Sequence, residues 1–172
     1  MTKTRRNEAP IIETKRIVLR RKKYDDIPDM MKMFNDDEVR KFVGGYPPRD
    51  ERSITGMIRH RTETGWAVTL KDTGEYLGEV EIVNIADGYL GEIGYMLLQE
   101  HWGKGFANEA VTAMIEYAQN LLNLKRLYAT IDNKHGRSKK LIVKLGFELI
   151  AVLPESNFYG RVADVAYYSR KL

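Results

Sequence analysis

Gln99-Glu100-His101-Trp102-Gly103-Lys104-Gly105-Phe106-Ala107-Asn108-Glu109 is the stretch on which the fold turns. It joins a strand-like run, Tyr89 to Leu98, to a helical apolar stripe of Val111, Met114, Ile115, Ala118, Leu121 and Leu122. Glycines at 103 and 105 let backbone approach a ligand closely and adopt turns that a β-carbon hinders. A helix opening there presents free N–H groups and the positive end of its dipole, which suits a phosphate or pyrophosphate, and Lys104 adds a cation. A tight turn that binds nothing fits the same residues, so the glycine pair alone does not decide. The P-loop is excluded, because Lys104 does not sit in a Gly-x-x-x-x-Gly-Lys-Ser/Thr frame. A dinucleotide site fits better, since Gly103-x-Gly105-x-x-Asn108 follows a strand and Asp132 ends the next one. Asn108 replaces the third glycine, however, and the preceding strand belongs to an antiparallel meander. A doubly wound sheet is therefore disfavoured.

That meander is read from Trp66–Leu70, the turn Asp72-Thr73-Gly74, Tyr76–Ile85, and Tyr89–Leu98 after a two-residue Asp87-Gly88 hairpin signal. Further upstream, Arg16–Arg21 reads as a strand. Asp25-Asp26 starts a helix carrying Ile27, Met30, Met31 and Phe34. Gly44-Gly45-Tyr46-Pro47-Pro48 is a loop, and Asp50 to His60 is a second helix. Downstream come a strand at Arg126–Ile131, a helix at about Arg137–Leu145 ended by Gly146, and strands at Phe147–Leu153 and Val162–Ser169. The order β-α-α-β-β-β-α-β-α-β-β predicts an α+β fold. Its centre is a mostly antiparallel mixed sheet of about seven strands, flanked by about four helices. Residues 1–10 read as a flexible arm and 11–172 as a single domain.

The 172 residues suit one domain with a real core. The absence of cysteine excludes disulfides, thiolate metal sites and a cysteine nucleophile. His60, His101 and His135 form no ligand-spaced pair, so no metal is expected. No apolar run approaches the roughly 20 residues of a membrane helix. The polar N-terminal stretch lacks the core of a signal peptide, so a cytoplasmic protein is expected. The net charge of +4 is uneven. Residues 1–23 hold nine Lys/Arg against two Glu, and residues 134–144 hold Lys134, Arg137, Lys139, Lys140 and Lys144 with no acid. A nucleic-acid or anionic-ligand partner stays open on charge alone.

The run Leu90-Gly91-Glu92-Ile93-Gly94-Tyr95-Met96-Leu97, continued through His101 to Ala110, resembles the acetyl-CoA core of the GNAT acetyltransferase superfamily, and more narrowly its RimJ/RimL type. Asp132 to Phe147, ending Leu145-Gly146-Phe147, resembles the second half of that core, and the element order matches over about residues 14–170. The resemblance implies a GNAT-like fold and acetyl-CoA as co-substrate. The family's Gln/Arg-x-x-Gly-x-Gly/Ala frame falls on Trp102 to Ala107, with Gly105 and Ala107 matching and Trp102 departing. It places the pyrophosphate on Gly103, Lys104, Gly105, Phe106, Ala107 and Asn108. The pantetheine arm and thioester carbonyl would lie along the backbone of Met96, Leu97 and Leu98, a form of strand augmentation. In the later motif His135 replaces the usual Asn, while Ser138 fits. The tyrosine slot that serves many relatives as general acid holds Ile142, which leaves Ser138 as the nearest candidate acid. The phosphorylated end of CoA would then account for at least part of the 134–144 basic island.

Acetyl transfer needs a neutral amine, a donor for the developing oxyanion and a leaving thiolate. Glu92 is the first candidate base. It lies four residues before Met96 on the same strand face, and some family members carry a catalytic glutamate there. Glu79 and Glu81 share a face on the neighbouring strand and are open to three roles: base, binder of a cationic substrate, or solvent-facing. Asn157, Tyr159, Arg161 and Tyr167 are open to lining an acceptor groove, with packing or surface the preferred reading. Met30, Met31, Met33 and Phe34 read as core rather than a substrate box, and His60 and His101 as surface histidines. The resemblance favours a protein N-terminal α-amine as acceptor. A polyamine, aminoglycoside or amino acid is the alternative, and a catalytically silent acyl-CoA-binding module a further one. No stacking motif supports nucleic acid, and neither that nor a membrane is an expected partner. The expected state is monomer or homodimer.

Overall fold

The computed structural model describes residues 10–45, 47–59 and 65–172. Expectations on residues 1–9, Tyr46 and His60 lie outside them. Eight strands form one sheet: β1 (Ile12–Glu13), β2 (Ile17–Arg20), β3 (Gly65–Leu70), β4 (Tyr76–Ala86), β5 (Leu90–Leu97), β6 (Arg126–Asp132), β7 (Glu148–Phe158) and β8 (Arg161–Lys171). Their order is β1-β2-β3-β4-β5-β6-β8-β7. All pairings are antiparallel except β5 with β6. The helices are α1 (Ile27–Asn35), α2 (Asp37–Arg40), α3 (Glu51–Arg59), α4 (Phe106–Asn120) and α5 (Gly136–Lys144).

Two elements exceed the sequence reading. The two-residue β1 is too short to carry a periodic pattern. The short α2 arises because Asp36 leaves helical geometry and caps a new turn, its carboxylate accepting from the amides of Glu38 (2.8 Å) and Val39 (3.2 Å). The 86–90 connection is a three-residue loop, with Ala86 facing Leu90. Pro10, assigned to the arm, has its carbonyl bonded by the Trp66 indole at 2.8 Å.

Strand alternation splits the core in two. Ile17, Leu19, Trp66 and Val68 face α4 and α5 through Val111, Met114 and Ile142. On the other face Ala67, Tyr76 and Leu98 meet Met30, Met33, Ile54 and Ile58 of α1 and α3. No helix among the described residues is long and apolar enough to cross a membrane.

Candidate active site

The site begins where the parallel pairing fails. β5 and β6 pair only at Leu90–Glu92 with Arg126–Tyr128, and then diverge although both continue. A parallel ladder interrupted in mid-strand leaves backbone groups facing a gap rather than a neighbour. The Leu98 amide turns the other way, donating to Leu77 at 2.9 Å. By alternation the backbone groups of Leu97 and Tyr95 face the gap, and the Trp102 indole already takes the Leu97 carbonyl at 2.9 Å. The three residues proposed along the pantetheine are thereby separated. Leu97 offers backbone and Met96 its side chain. Leu98 is turned away, only 2% exposed within the second core cluster.

A groove of about 340 Å³ continues from this gap over the α4 N-terminus. Gly103 (φ 75°) and Gly105 (φ 84°) take left-handed conformations, and Gly105 immediately precedes α4. Gly103, Gly105, Phe106, Ala107 and Asn108 line the groove, opposite His135, Arg137 and Ser138. The first amides of α4 have no helical acceptor, an arrangement suited to an anion. Lys104 takes a different part. Its carbonyl accepts from Arg16 Nη1 at 2.9 Å, and it is absent from the groove lining. Arg16 also donates from Nε to Glu109 (2.7 Å) and covers the Phe106 ring at 4.6 Å. Burial alone would raise the Glu109 pKa, but hydrogen bonds from Thr14 and Arg16 hold it below the usual carboxylate range. The N-terminal basic island thus contains one residue that braces the turn. Only its charge was visible in the sequence. Across the groove the Arg137 guanidinium stacks over Trp102 at 4.4 Å.

At the inner end of the groove Tyr95 Oη lies 2.7 Å from Ser138 Oγ. Sequence reasoning missed Tyr95, whose place beside Met96 was the available signal. Burial pushes its phenol up to about 12, so it remains protonated. Ile142 is fully buried in the core. His135 stacks on Phe42, centroids 4.4 Å apart. Burial, aided by Arg137 and opposed by Asp132, lowers its pKa to about 4. The neutral ring is therefore the folded state's preferred form, while the unfolded chain protonates near 6.5. Native stability rises with pH between about 4 and 6.5 on this account. His135→Asn should lose less stability than wild type between pH 7 and pH 4.5 in guanidinium titrations. Equal losses would show that His135 does not titrate in this way.

A second cavity, about 430 Å³, opens on the α1–α3 face and shares Phe42, Val43, Tyr95, Met96, His135 and Ser138 with the groove. Its floor is the paired faces of β4 and β5, where Glu79 opposes Met96, Glu81 opposes Gly94 and Val83 opposes Glu92. Glu79 is paired with Lys22 Nζ at 2.5 Å. Glu92 is 6% exposed and accepts from Asn84 Nδ2 (2.7 Å) and Tyr159 Oη (2.8 Å). Tyr159, for which the sequence favours packing or surface over an acceptor groove, lines this cavity. It occupies the Tyr159-Gly160 turn between β7 and β8 at φ 46°, a strained conformation for an aromatic residue. Gly44 and Gly45 hold that turn, since a β-carbon at either would lie 2.6 Å from Tyr159 Cβ or the Gly160 backbone. Arg161 was likewise read as packing or surface. It lies in an ion pair with the buried Asp132. Asn157 caps the turn, accepting from the Gly160 amide at 2.8 Å. His101 is another correction, only 5% exposed and edge-on to Phe106. Its turn folds inward because Leu98, which anchors it, is core. No metal-holding cluster of His, Asp and Glu occurs among the described residues.

The family profile described as "Acetyltransferase (GNAT) domain" matches residues 16–148, a span containing the split strands, the glycine turn and α5. The chain belongs to the GNAT acetyltransferase family. It is 34% identical over 166 residues to "Uncharacterized N-acetyltransferase p20" of Bacillus licheniformis, covering 91% of this chain and 93% of the relative. It is 29% identical over 169 residues to "Uncharacterized N-acetyltransferase YoaA" of Bacillus subtilis, covering 93% and 96%. A partial match, 34% over 118 residues, covers 65% of this chain and 58% of the "[Ribosomal protein uS5]-alanine N-acetyltransferase" of Escherichia coli. Among solved structures, a GNAT-family acetyltransferase from Bacillus anthracis superposes with a TM-score of 0.83 at 20% identity, covering 94% of this chain and 98% of that one. A spermidine N-acetyltransferase from Vibrio cholerae in complex with CoA and spermine gives 0.79 at 21%, covering 90% and 95%. This GNAT enzyme is an acetyl-CoA-dependent N-acetyltransferase. Its groove fits that co-substrate through three features: strand backbone parted from β6, helix-terminal amides without a helical acceptor and the cationic Arg137.

Proposed function

We propose that this acetyltransferase moves an acetyl group directly onto the α-amine of a protein N-terminus. The observation that carries the reading is the meeting of two spaces at Tyr95, Met96, His135 and Ser138: an anion-receiving groove on one side, a carboxylate-lined cavity on the other. An amine entering from the cavity reaches a thioester entering from the groove without either leaving its wall. Glu92 stands on the amine side. Ser138, with Tyr95, stands on the sulfur side, where their hydroxyls can donate to the departing thiolate. The chain has no cysteine to carry the acetyl group, which favours a single direct step. An N-terminal amine has a pKa of about 8, so its deprotonation asks little of a base. The similarity to the uS5-alanine enzyme supports a protein acceptor. The three carboxylates of the cavity favour a second reading, a polyamine, in line with the structural likeness to the spermidine enzyme.

Incubation with isotopically labelled acetyl-CoA separates the two. Mass spectrometry should find label on the N-terminus of alanine- or serine-headed peptides in preference to spermidine. Label on spermidine alone would replace the first reading with the second. Label on neither would remove both.

A further inference from the structure

We propose that Glu81, rather than Glu92, is the carboxylate that takes the proton from the acceptor amine. The inference rests on the acetyl-transfer reading above. Glu92, Gly94 and Met96 share one face of β5, with Met96 at the junction of groove and cavity. Glu81 sits opposite Gly94, and its side chain lies over that residue. A β-carbon at 94 would stand 3.4 Å from Glu81 Oε1. The glycine therefore leaves the Glu81 carboxylate above the strand, two residues from Met96 or about 7 Å along it, whereas Glu92 is four residues away, about 13 Å.

The other two carboxylates are already engaged. Glu79 is held by Lys22, and Glu92 accepts from Asn84 and Tyr159 at its two oxygens. Glu92 thus acts as a positioning residue, anchoring the Tyr159 turn over the cavity. Among the described residues Glu81 makes no hydrogen bond or ion pair, so it can accept an N–H without breaking one. The charged groups facing it are Glu79 and Lys22, Glu92 from β5, and Arg49 from before α3, with Arg40 at the cavity wall. Burial, reinforced by Glu79 and Glu92 against Lys22 and Arg49, raises its pKa, which brings a carboxylate nearer the working range of a base. The ammonium proton passes to Glu81, and the nitrogen lone pair closes a C–N bond on the acetyl carbon. The C–S electron pair leaves on sulfur, which is protonated from water. The second amine proton and the one on Glu81 pass to solvent.

The test follows CoA thiol release against pH with an alanine-headed peptide and with spermidine. Glu81→Gln should lower kcat by about a hundredfold or more and abolish the acidic limb of the kcat/KM profile. Glu92→Gln should retain that limb while lowering the rate less. Retention of the limb in Glu81→Gln, or its loss in Glu92→Gln alone, overturns the assignment. If wild type acetylates neither probe, those acceptor classes fail, and the assignment is read from carboxyl ¹³C resonances of glutamate-labelled protein with acetyl-CoA. Added n-propylamine should then shift the resonance missing in Glu81→Gln, and a shift confined to the Glu92 resonance overturns it. Unchanged melting midpoints establish that both variants fold.

Discussion

Gly105→Asp is expected to weaken acetyl-CoA binding by about a hundredfold or more, measured by titration calorimetry, while Gly105→Asn weakens it less than about tenfold. Gly105 sits at φ 84° directly before α4. Asn and Asp are the non-glycine residues that best tolerate this conformation and are nearly equal in size, so the two variants share nearly the same steric cost. They differ in one charge. The nearest atom to a new β-carbon is Arg16 Nη2 at 3.2 Å, on a side chain already paired with Glu109. The aspartate therefore adds negative charge where the helix amides await an anion. Two unit charges about 5 Å apart at an effective dielectric of 20 repel by about 3 kcal/mol, which corresponds to roughly a hundredfold in Kd. Equal affinities for the Asp and Asn variants would show that no phosphate binds at this turn.

Gly78→Ala should destabilise the fold by about 3 kcal/mol or more and lower acetyl-CoA affinity with it. A β-carbon at Gly78 would stand 2.1 Å from the Met96 carbonyl oxygen and 2.7 Å from Leu97 Cα. Both are backbone atoms of the neighbouring strand, so no rotamer change relieves the overlap. β4 and β5 must separate where Gly78 faces Leu97. Overpacking on this scale exceeds the 1–3 kcal/mol usual for added methylenes. The displaced segment is the one whose outer edge faces the cofactor gap. Guanidinium unfolding checks the first effect and calorimetry the second. A loss under about 1 kcal/mol would show that the strands yield easily there.

The meander, the glycine turn, α4 and the three nine-residue helices were legible because each depends on local periodicity and turn chemistry. Asp50 illustrates this, since its carboxylate accepts from the Ser53 amide at 2.8 Å at the predicted start of α3. The partners of Glu92 were not legible. Tyr159 is 67 residues away and reaches Glu92 only because Gly44 and Gly45 allow the β7–β8 turn to lie close. Arg16 was visible as charge, but not as the brace of a turn 88 residues on. Tyr95 was passed over because alternation placed it beside the expected backbone ligands and said nothing of α5 above it.

The sequence by itself determined the element types, the glycine turn before α4 and the family resemblance, since backbone conformation and hydrogen-bonding pattern follow from short-range residue choice. Only the tertiary structure decided which carboxylate stands free. Glu79, Glu81 and Glu92 are alike in one dimension. Their differences arise from Lys22, Asn84, Tyr159 and the missing β-carbon of Gly94, which long-range packing brings to them.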